Sequence, residues 1–447
     1  MLEQTNTQAS NNKSTTIGIA IIGIVFFVIG FVSWVNSILI PYFKIACELT
    51  HFQSYFVTFA FYIAYLFMSI PVAFLLEKVG YKKGMTYGFY CLAFGALLFV
   101  PAALLRTYGV FLTGLFAMGT GLAVLQAAAN PYITIVGPIE SAAKRMSIMG
   151  VCNKFAGIIS PLVFAAVVLG SSQSTLELVE SGMLSGLEKE AALKELLHGV
   201  ILPYAVLSLL LLGVGIFIKH SPLPDVNPED DEQTSESNGC KRTSVLQFPY
   251  LVLGVLALFI HVGTQVVAID TIISYAGSMG IGLLEAKFFP SYTLGATILG
   301  YLLGITLIPK VISQKNALII CTIIGLALSI GIVCCDAEMT LMGHKANVSI
   351  WLLASLGFPN SLIYAGIWPH AIRGLGRFTK IGSSLLVMAL CGNAIMPLIY
   401  SSIAERTSLR FGYIILIPCF LYLIFYALYG YKITYWKQQK NNHVTKR

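Results

Sequence analysis

Amide and aromatic side chains recur at helical spacing inside stretches that are otherwise apolar. Gln126 and Asn130 stand four residues apart, as do His261 and Gln265, while Asn360, Tyr364 and Trp368 carry the same interval over two turns. Residues at i and i+4 share one face of a helix. Asn36 shares a face with Ser33, and Asn153 has a counterpart in Asn393 later in the chain. Amides donate and accept at once, so such a set suits a neutral ligand bearing many hydroxyls, with an aromatic ring as platform for its apolar face. Each residue also has a structural use. An amide in an apolar helix can bond a neighbouring helix, worth about 0.6–2 kcal/mol, and Tyr364 and Trp368 can serve as plain packing. Three ionisable side chains interrupt the same stretches: Lys154, His261 and Asp270. A charge in such surroundings is costly and marks either an ion pathway or a side chain that snorkels to the surface. His261 reads as a hydrogen-bonded core histidine or as a coupling group. Nothing points to catalysis: there is no phosphate-binding glycine loop beside a strand, no HExxH, and no nucleophile, histidine and acid facing one side.

The elements that hold these residues follow from composition. Of 447 residues 57% are hydrophobic and 11% charged, with mean hydropathy +0.80. Soluble domains run near a quarter charged, so an ordinary cytosolic enzyme is excluded. A bilayer core of ~30 Å needs about 20 apolar helical residues. Twelve runs qualify: 17–42, 52–76, 84–105, 108–136, 147–170, 199–218, 246–275, 288–309, 316–335, 347–371, 381–403 and 410–432. In lipid an open sheet would strand backbone groups, so these runs are helices. The expected fold is an all-α membrane protein of twelve transmembrane helices. The first run lacks a small-residue cleavage site and reads as a retained span. Nine cysteines lie mostly in apolar runs without CxxC or metal-like spacing, which reads as buried thiols with neither disulfides nor a metal site.

Two polar stretches break the pattern. "SPLPDVNPEDDEQTSESNGCKR" within 220–247 is proline, acid and serine with nothing to bury, a linker that divides six spans from six. The expected units are a tail at 1–16, bundles at 17–218 and 246–432 around a linker at 219–245, and a tail at 433–447. Residues 170–198 contain "LEKEAALKELL", a short amphipathic helix on one surface. With the N-terminus cytoplasmic, the inner segments hold 19 of the 28 Lys and Arg residues and the outer loops 8, Lys154 lying within a span. That bias puts both termini in the cytoplasm. The net charge of +8 is therefore a topology signal, and nucleic acid is not needed to explain it.

Landmarks repeat between the two halves. Asn130-Pro131 in the fourth span corresponds to Trp368-Pro369 in the tenth, and basic pairs follow each (Lys144 and Arg145, Arg377 and Lys380). "AGIISP" then ends at Pro161 and "GNAIMP" at Pro397, so the proline intervals are 30 and 28 residues. Repeats of this kind build secondary transporters, in which one half rocks against the other.

"AFLLEKVGYKKG" (73–84) resembles the loop signature of the major facilitator superfamily, with Glu77, Lys78, Gly80 and Lys82 at the matching positions and Glu where the family usually has Asp. "NSILIPYFK" (36–44), "THFQSYFVTFAFYIAY" (50–65), "GTGLAVLQAAANPYITIVGP" (119–138) and "ESAAKRMSIMGVCNKFAGIISP" (140–161) together resemble the fucose permease family, in particular its glucose/galactose transporter branch. After the linker, "HVGTQVVAIDTIISY" (261–275) and "RGLGRFTKIGSSLL" (373–386) are the best matches. The resemblance implies two pseudo-symmetric six-helix bundles and sugar symport by alternating access in a bacterial inner membrane. It implies a monomer whose partners are a small neutral hexose (glucose or galactose first), a coupling cation and the lipid bilayer. The fucose branch couples to protons through two carboxylates, which fall here at Ser37 and Gln126. Neither can titrate, so that relay cannot operate at these positions. The glucose/galactose branch is sodium-linked, leaving sodium or a proton as the coupling ion and no other cofactor. A fucose or other sugar–proton symporter, an uncoupled facilitator and a non-transporting sugar sensor remain as alternatives.

Within this frame the expected substrate contacts are Asn36, Gln126, Asn130, Asn153, Gln265, Asn360, Tyr364, Trp368 and Asn393. Lys154 lies about seven residues, or ~10 Å, from the cytoplasmic end of its span, where snorkelling competes with a cavity role. Asp270 lies ~15 Å outward from the middle of its span and about 140° round a regular helix from Gln265. It reads as an interfacial carboxylate or, if that helix breaks near Gly263 or Gly277, as the leading acidic candidate for cation coupling. Glu77, Lys78, Gly80 and Lys82 read as a cytoplasmic gate network or as plain topological charge.

Overall fold

The computed structural model describes residues 2–135, 142–169, 173–180, 184–223, 243–308, 311–375 and 378–436. Among them eleven helical runs are long and apolar enough to cross a membrane. One of these, Phe56–Leu105, is 50 residues long and doubles back, because Gly80 within it has φ 77° and ψ 170°. The crossings therefore number twelve. That backbone conformation is essentially restricted to glycine. Gly80→Ala is expected to cost about 1–3 kcal/mol, read as a lower apparent melting temperature of the detergent-solubilised protein. The twelve expected runs agree with the helices to within a few residues, and the first helix continues back to Leu2.

The spans, numbered in chain order, are often built of two pieces. Span 1 joins Leu2–Trp34 to Asn36–Ala46, span 7 joins Pro249–Asp270 to Ile272–Gly277, and span 10 joins Val348–Ser355 to Gly357–Ile372. Span 11 comprises Thr379–Met388, a tight turn at Ala389–Cys391, and Gly392–Arg406. Spans 2 and 3 are the two arms of Phe56–Leu97. Span 4 is Tyr108–Ile135, span 5 Ala142–Phe164, span 6 Ile201–His220, span 8 Phe289–Leu307, span 9 Gln314–Cys334, and span 12 is centred on Leu416–Leu428. The end at which span 6 stops and span 7 starts is called the linker end below, and the opposite end the distal end.

Packing within each half rests on close backbone approach, the usual means of holding apolar helices together in lipid. A Cβ on Gly30 of span 1 would overlap the backbone of Asn153 on span 5, and one on Gly392 of span 11 would overlap Phe259 on span 7. The same holds for Gly119 against Phe61 (spans 4 and 2) and Gly357 against Thr293 (spans 10 and 8). Pairs 1·5 and 7·11 correspond under the repeat, as do 2·4 and 8·10. The duplication seen in the sequence is thus also a duplication of contacts. Large apolar side chains such as Phe67, Phe74, Leu202, Leu209 and Leu299 are exposed on the outside of this arrangement. That is the surface lipid solvates.

Outside the spans, the expected amphipathic helix appears as Gly186–Gly199 and buries Leu193, Leu196 and Leu197. A second helix, Gln173–Glu180, precedes it. An antiparallel hairpin, Glu338–Leu341 with His344–Asn347, links spans 9 and 10 and was not anticipated. Its turn uses Met342 and Gly343, both at positive φ. Residues 224–242 of the expected linker, the tail beyond Trp436 and the side chains of Lys144, Arg377 and Lys380 lie outside the described residues.

Candidate functional site

Span 2 presents Thr58, Tyr62, Tyr65 and Ser69 at intervals of four, three and four residues, a polar stripe on one helical face. Tyr65 is buried and accepts a 2.7 Å hydrogen bond from Gln126 Nε2 of span 4. Tyr62 stacks on Tyr65 with centroids 6.2 Å apart, and its hydroxyl reaches the Ser33 carbonyl of span 1 at 3.4 Å. Sequence reasoning selected Gln126 but missed this stripe, whose spacing was visible. Asn130 is half-buried one turn beyond Gln126.

Spans 1 and 5 meet at Asn153. Its Oδ1 accepts from Trp34 Nε1 at 3.3 Å, and its Nδ2 donates to the Phe26 carbonyl at 3.4 Å. Both ends of this amide are thus committed to joining helices. Lys154 does not snorkel: it is 6% exposed, because its ammonium is held inside by the Trp34 ring, 4.0 Å from the centroid, and by Gln265 Oε1 of span 7 at 3.4 Å. This contact crosses from one half to the other. His261, one turn before Gln265, is buried with Nδ1 unpartnered.

The amides of spans 1 and 10 are different in kind. Asn36 is 0% exposed and Asn360 1% exposed, and neither Oδ1 nor Nδ2 of either has a hydrogen-bond partner. A buried polar group left unpaired costs about 1–3 kcal/mol, so native proteins keep few of them. On span 11 Asn393 Oδ1 is likewise unpartnered. Tyr364 and Trp368 stack on each other at 5.7 Å and 19°, one turn below Asn360. Gln126 with Tyr65 forms a polar pair in the first half, and Tyr364 with Trp368 an aromatic pair in the second.

Asp270 is not interfacial. It is 0% exposed, and its Oδ2 accepts from Thr58 Oγ1 of span 2 at 3.1 Å while Oδ1 has no partner. Depth along a helix is not depth within the protein, and the approach of span 2 covers this carboxylate. The span is continuous at Gly263, which packs on Met396, and it breaks at Thr271 immediately after Asp270. Gln265 and Asp270 consequently serve separate places, the first meeting Lys154 and the second Thr58.

Several contacts between the halves lie toward the distal end. Phe52 N donates to Glu405 Oε1 at 2.6 Å, the Tyr55 and Tyr400 rings meet edge-on at 6.1 Å, and Ser291 Oγ donates to the Ile158 carbonyl at 3.0 Å. Span pairs 2·11 and 5·8, related by the repeat, thus join the halves at that end, and pair 5·8 also meets nearer the linker end, where Gly150 faces Tyr301. At the linker end Lys82 donates to the Ser221 carbonyl at 2.8 Å, which ties span 3 to the end of span 6 inside one half. Glu77 and Lys78 are exposed, Gly80 makes the turn, and no ion pair between described residues joins the halves.

Comparison with known proteins agrees with this architecture. A family model described as Major Facilitator Superfamily matches residues 22–376. The glucose/galactose transporter of Brucella abortus (biovar 1, strain 9-941) is 30% identical over 430 residues, 96% of this chain and 97% of that protein. The L-fucose-proton symporter of Escherichia coli K12 is 30% identical over 407 residues, 89% of each. Among solved structures, the major facilitator transporter FucP in the outward conformation superposes with a TM-score of 0.69 at 28% identity, covering 93% of this chain and 98% of that one. With its two six-helix halves, repeat-related interfaces and matches over nearly the whole length, the chain belongs to the major facilitator superfamily, within the fucose permease family.

Proposed function

We propose that the chain is a sugar importer of the inner membrane that moves a neutral hexose, glucose or galactose first, by cation symport and alternating access. The observation that carries the reading is the pair Asn36 and Asn360, a buried and unpartnered amide on span 1 of the first half and another on span 10 of the second. A hydroxylated ligand between the halves satisfies both, while Gln126 orients it and Tyr364 and Trp368 offer a face to its ring. The names of the Brucella and Escherichia relatives, one a glucose/galactose transporter and the other a fucose symporter, support a sugar in this position. The linker end is cytoplasmic by its basic excess, which puts both termini inside and makes the distal closure an outward gate. The protein acts as a monomer, with bundles at 17–218 and 246–432.

The two positions to which the fucose-type carboxylates correspond are neutral and occupied. Ser37 Oγ bonds the Trp34 carbonyl at 2.9 Å, and Gln126 bonds Tyr65. Coupling, if it follows a carboxylate, follows another one. The test is uptake of labelled glucose into proteoliposomes under imposed sodium, proton or no gradient, with galactose and fucose as competitors. Concentrative uptake blocked by galactose is expected. Uptake that only equilibrates identifies a facilitator, stronger competition by fucose a fucose transporter, and binding without uptake a sensor.

A further inference from the structure

We infer that Asp270 is the coupling carboxylate, and that a monovalent cation on it, proton or sodium, is the condition for closing the outward gate through Thr58. The inference rests on the symporter reading and names the residue that would read the ion. Thr58 and Asp270 belong to opposite halves, and their 3.1 Å hydrogen bond is made where the halves have closed together. In that arrangement the carboxylate is fully buried, one oxygen has no partner, and no basic side chain among the described residues is hydrogen-bonded or ion-paired to it. An uncompensated carboxylate so placed is prohibitively costly, whereas a neutralised one is not. When the gate opens, spans 2 and 11 part and water can solvate the charge. Closure therefore requires that the ion arrive first, and the break at Thr271 just beyond Asp270 lets the outer piece of span 7 move with the gate.

The surrounding groups do not offer a rival charge. Span 2 contributes the phenols of Tyr55 and Tyr62, span 11 Tyr400 behind Tyr55, and the start of span 12 Tyr413, whose hydroxyl lies 2.7 Å from Thr271 Oγ1. Ser274 follows one turn beyond with its hydroxyl unpartnered. Lys154 and His261 belong to the other face of span 7, with Gln265. Lys44 and Glu405 at the same end are exposed. His51, whose ring meets Tyr55 edge-on at 5.2 Å, lies beyond the span and is pushed down to about 4 by burial and then by Lys44. It stays neutral over about pH 5–8 and supplies no titration there.

The experiment measures the gate without sugar. Spin labels go on Leu187→Cys and Met342→Cys, exposed residues at the distal end of the two halves, in a chain with Cys47, Cys240, Cys334 and Cys335 replaced by serine. Distances are recorded by double electron–electron resonance in nanodiscs while pH and sodium are varied separately. The closed population of the unmodified site is expected to rise on adding the coupling ion, the pH arm identifying a proton and the sodium arm sodium. In Asp270→Asn the closed population should no longer respond to either ion, and in proteoliposomes gradient-driven accumulation should be lost. Thr58→Val should lower the ion-bound closed-to-open ratio by about fivefold, the usual worth of one hydrogen bond. A closed population in the unmodified site that ignores both ions overturns the inference even if Asp270→Asn fails to fold. So does accumulation by Asp270→Asn equal to the parent. Failure of glucose uptake alone, with ion-dependent closure intact, overturns only the substrate assignment.

Discussion

Asn36→Leu is expected to cut sugar uptake by about ten- to a hundredfold while leaving the folded protein as stable as its parent or about 1–2 kcal/mol more stable. The two effects diverge because this amide is fully buried and bonds to nothing. Removing it takes away a desolvated polar group that the protein alone does not satisfy, and leucine fills nearly the same volume. On the proposed function, what is lost is the hydrogen bonds of Asn36 to substrate. Asn360→Leu should behave in the same way. Asn153→Leu is the contrast: it breaks the bonds to Trp34 and to the Phe26 carbonyl, so stability falls together with uptake. Thermal unfolding in detergent beside initial uptake rates separates the cases. A large loss of stability in Asn36→Leu would mean that the amide is structural.

Gly392→Val is expected to prevent a stable fold. At Gly392 even the first added carbon would overlap the Phe259 carbonyl, and neither helix backbone can retreat without opening the 7·11 interface. Overpacking of yielding cores costs about 1–3 kcal/mol, and rigid backbone contact puts this case at or above that range. The readout is the yield of monodisperse protein by fluorescence-detected size exclusion. Gly30→Val, the corresponding change on the 1·5 interface, should match it. Gly213→Ala, where an added carbon meets nothing within 4 Å, should be tolerated and gain up to about 1 kcal/mol of helix propensity. Equal loss in all three would show that the chain is generally intolerant and that these two interfaces are not special.

The helical crossings were legible because lipid permits so little else. Length and apolarity placed every span, and the Asn130-Pro131 and Trp368-Pro369 landmarks revealed the repeat before any contact was known. Single residues were legible only where spacing along one helix was enough, as for Gln126 and for Tyr364 with Trp368. For Lys154 and Asp270 the sequence left surface and interior as alternatives, because their partners lie far away along the chain. Trp34 and Gln265 keep the lysine inside, and Thr58 covers the carboxylate, across sequence separations that no local pattern encodes. Among the described residues the loop charges Glu77 and Lys78 make no ion pair across the halves, and the contacts at the other end are built from tyrosine rings, one backbone donor and the hydroxyls of Ser291 and Thr58. The hairpin at 338–347 was missed because four-residue strands in which only Ala346 is buried carry almost no hydrophobic alternation.

The glycine contacts have a consequence for biosynthesis. Gly30 meets Asn153 and Gly119 meets Phe61, so both close within the first six spans, whereas Gly263, Gly357 and Gly392 find their partners only within the last six. A ribosome-bound chain can therefore complete and seal the first bundle in the bilayer while the second is still being translated. The order of synthesis becomes the order of assembly, and the late step is the docking of two finished bodies through polar bonds, tyrosine rings and the packing of spans 2·11 and 5·8.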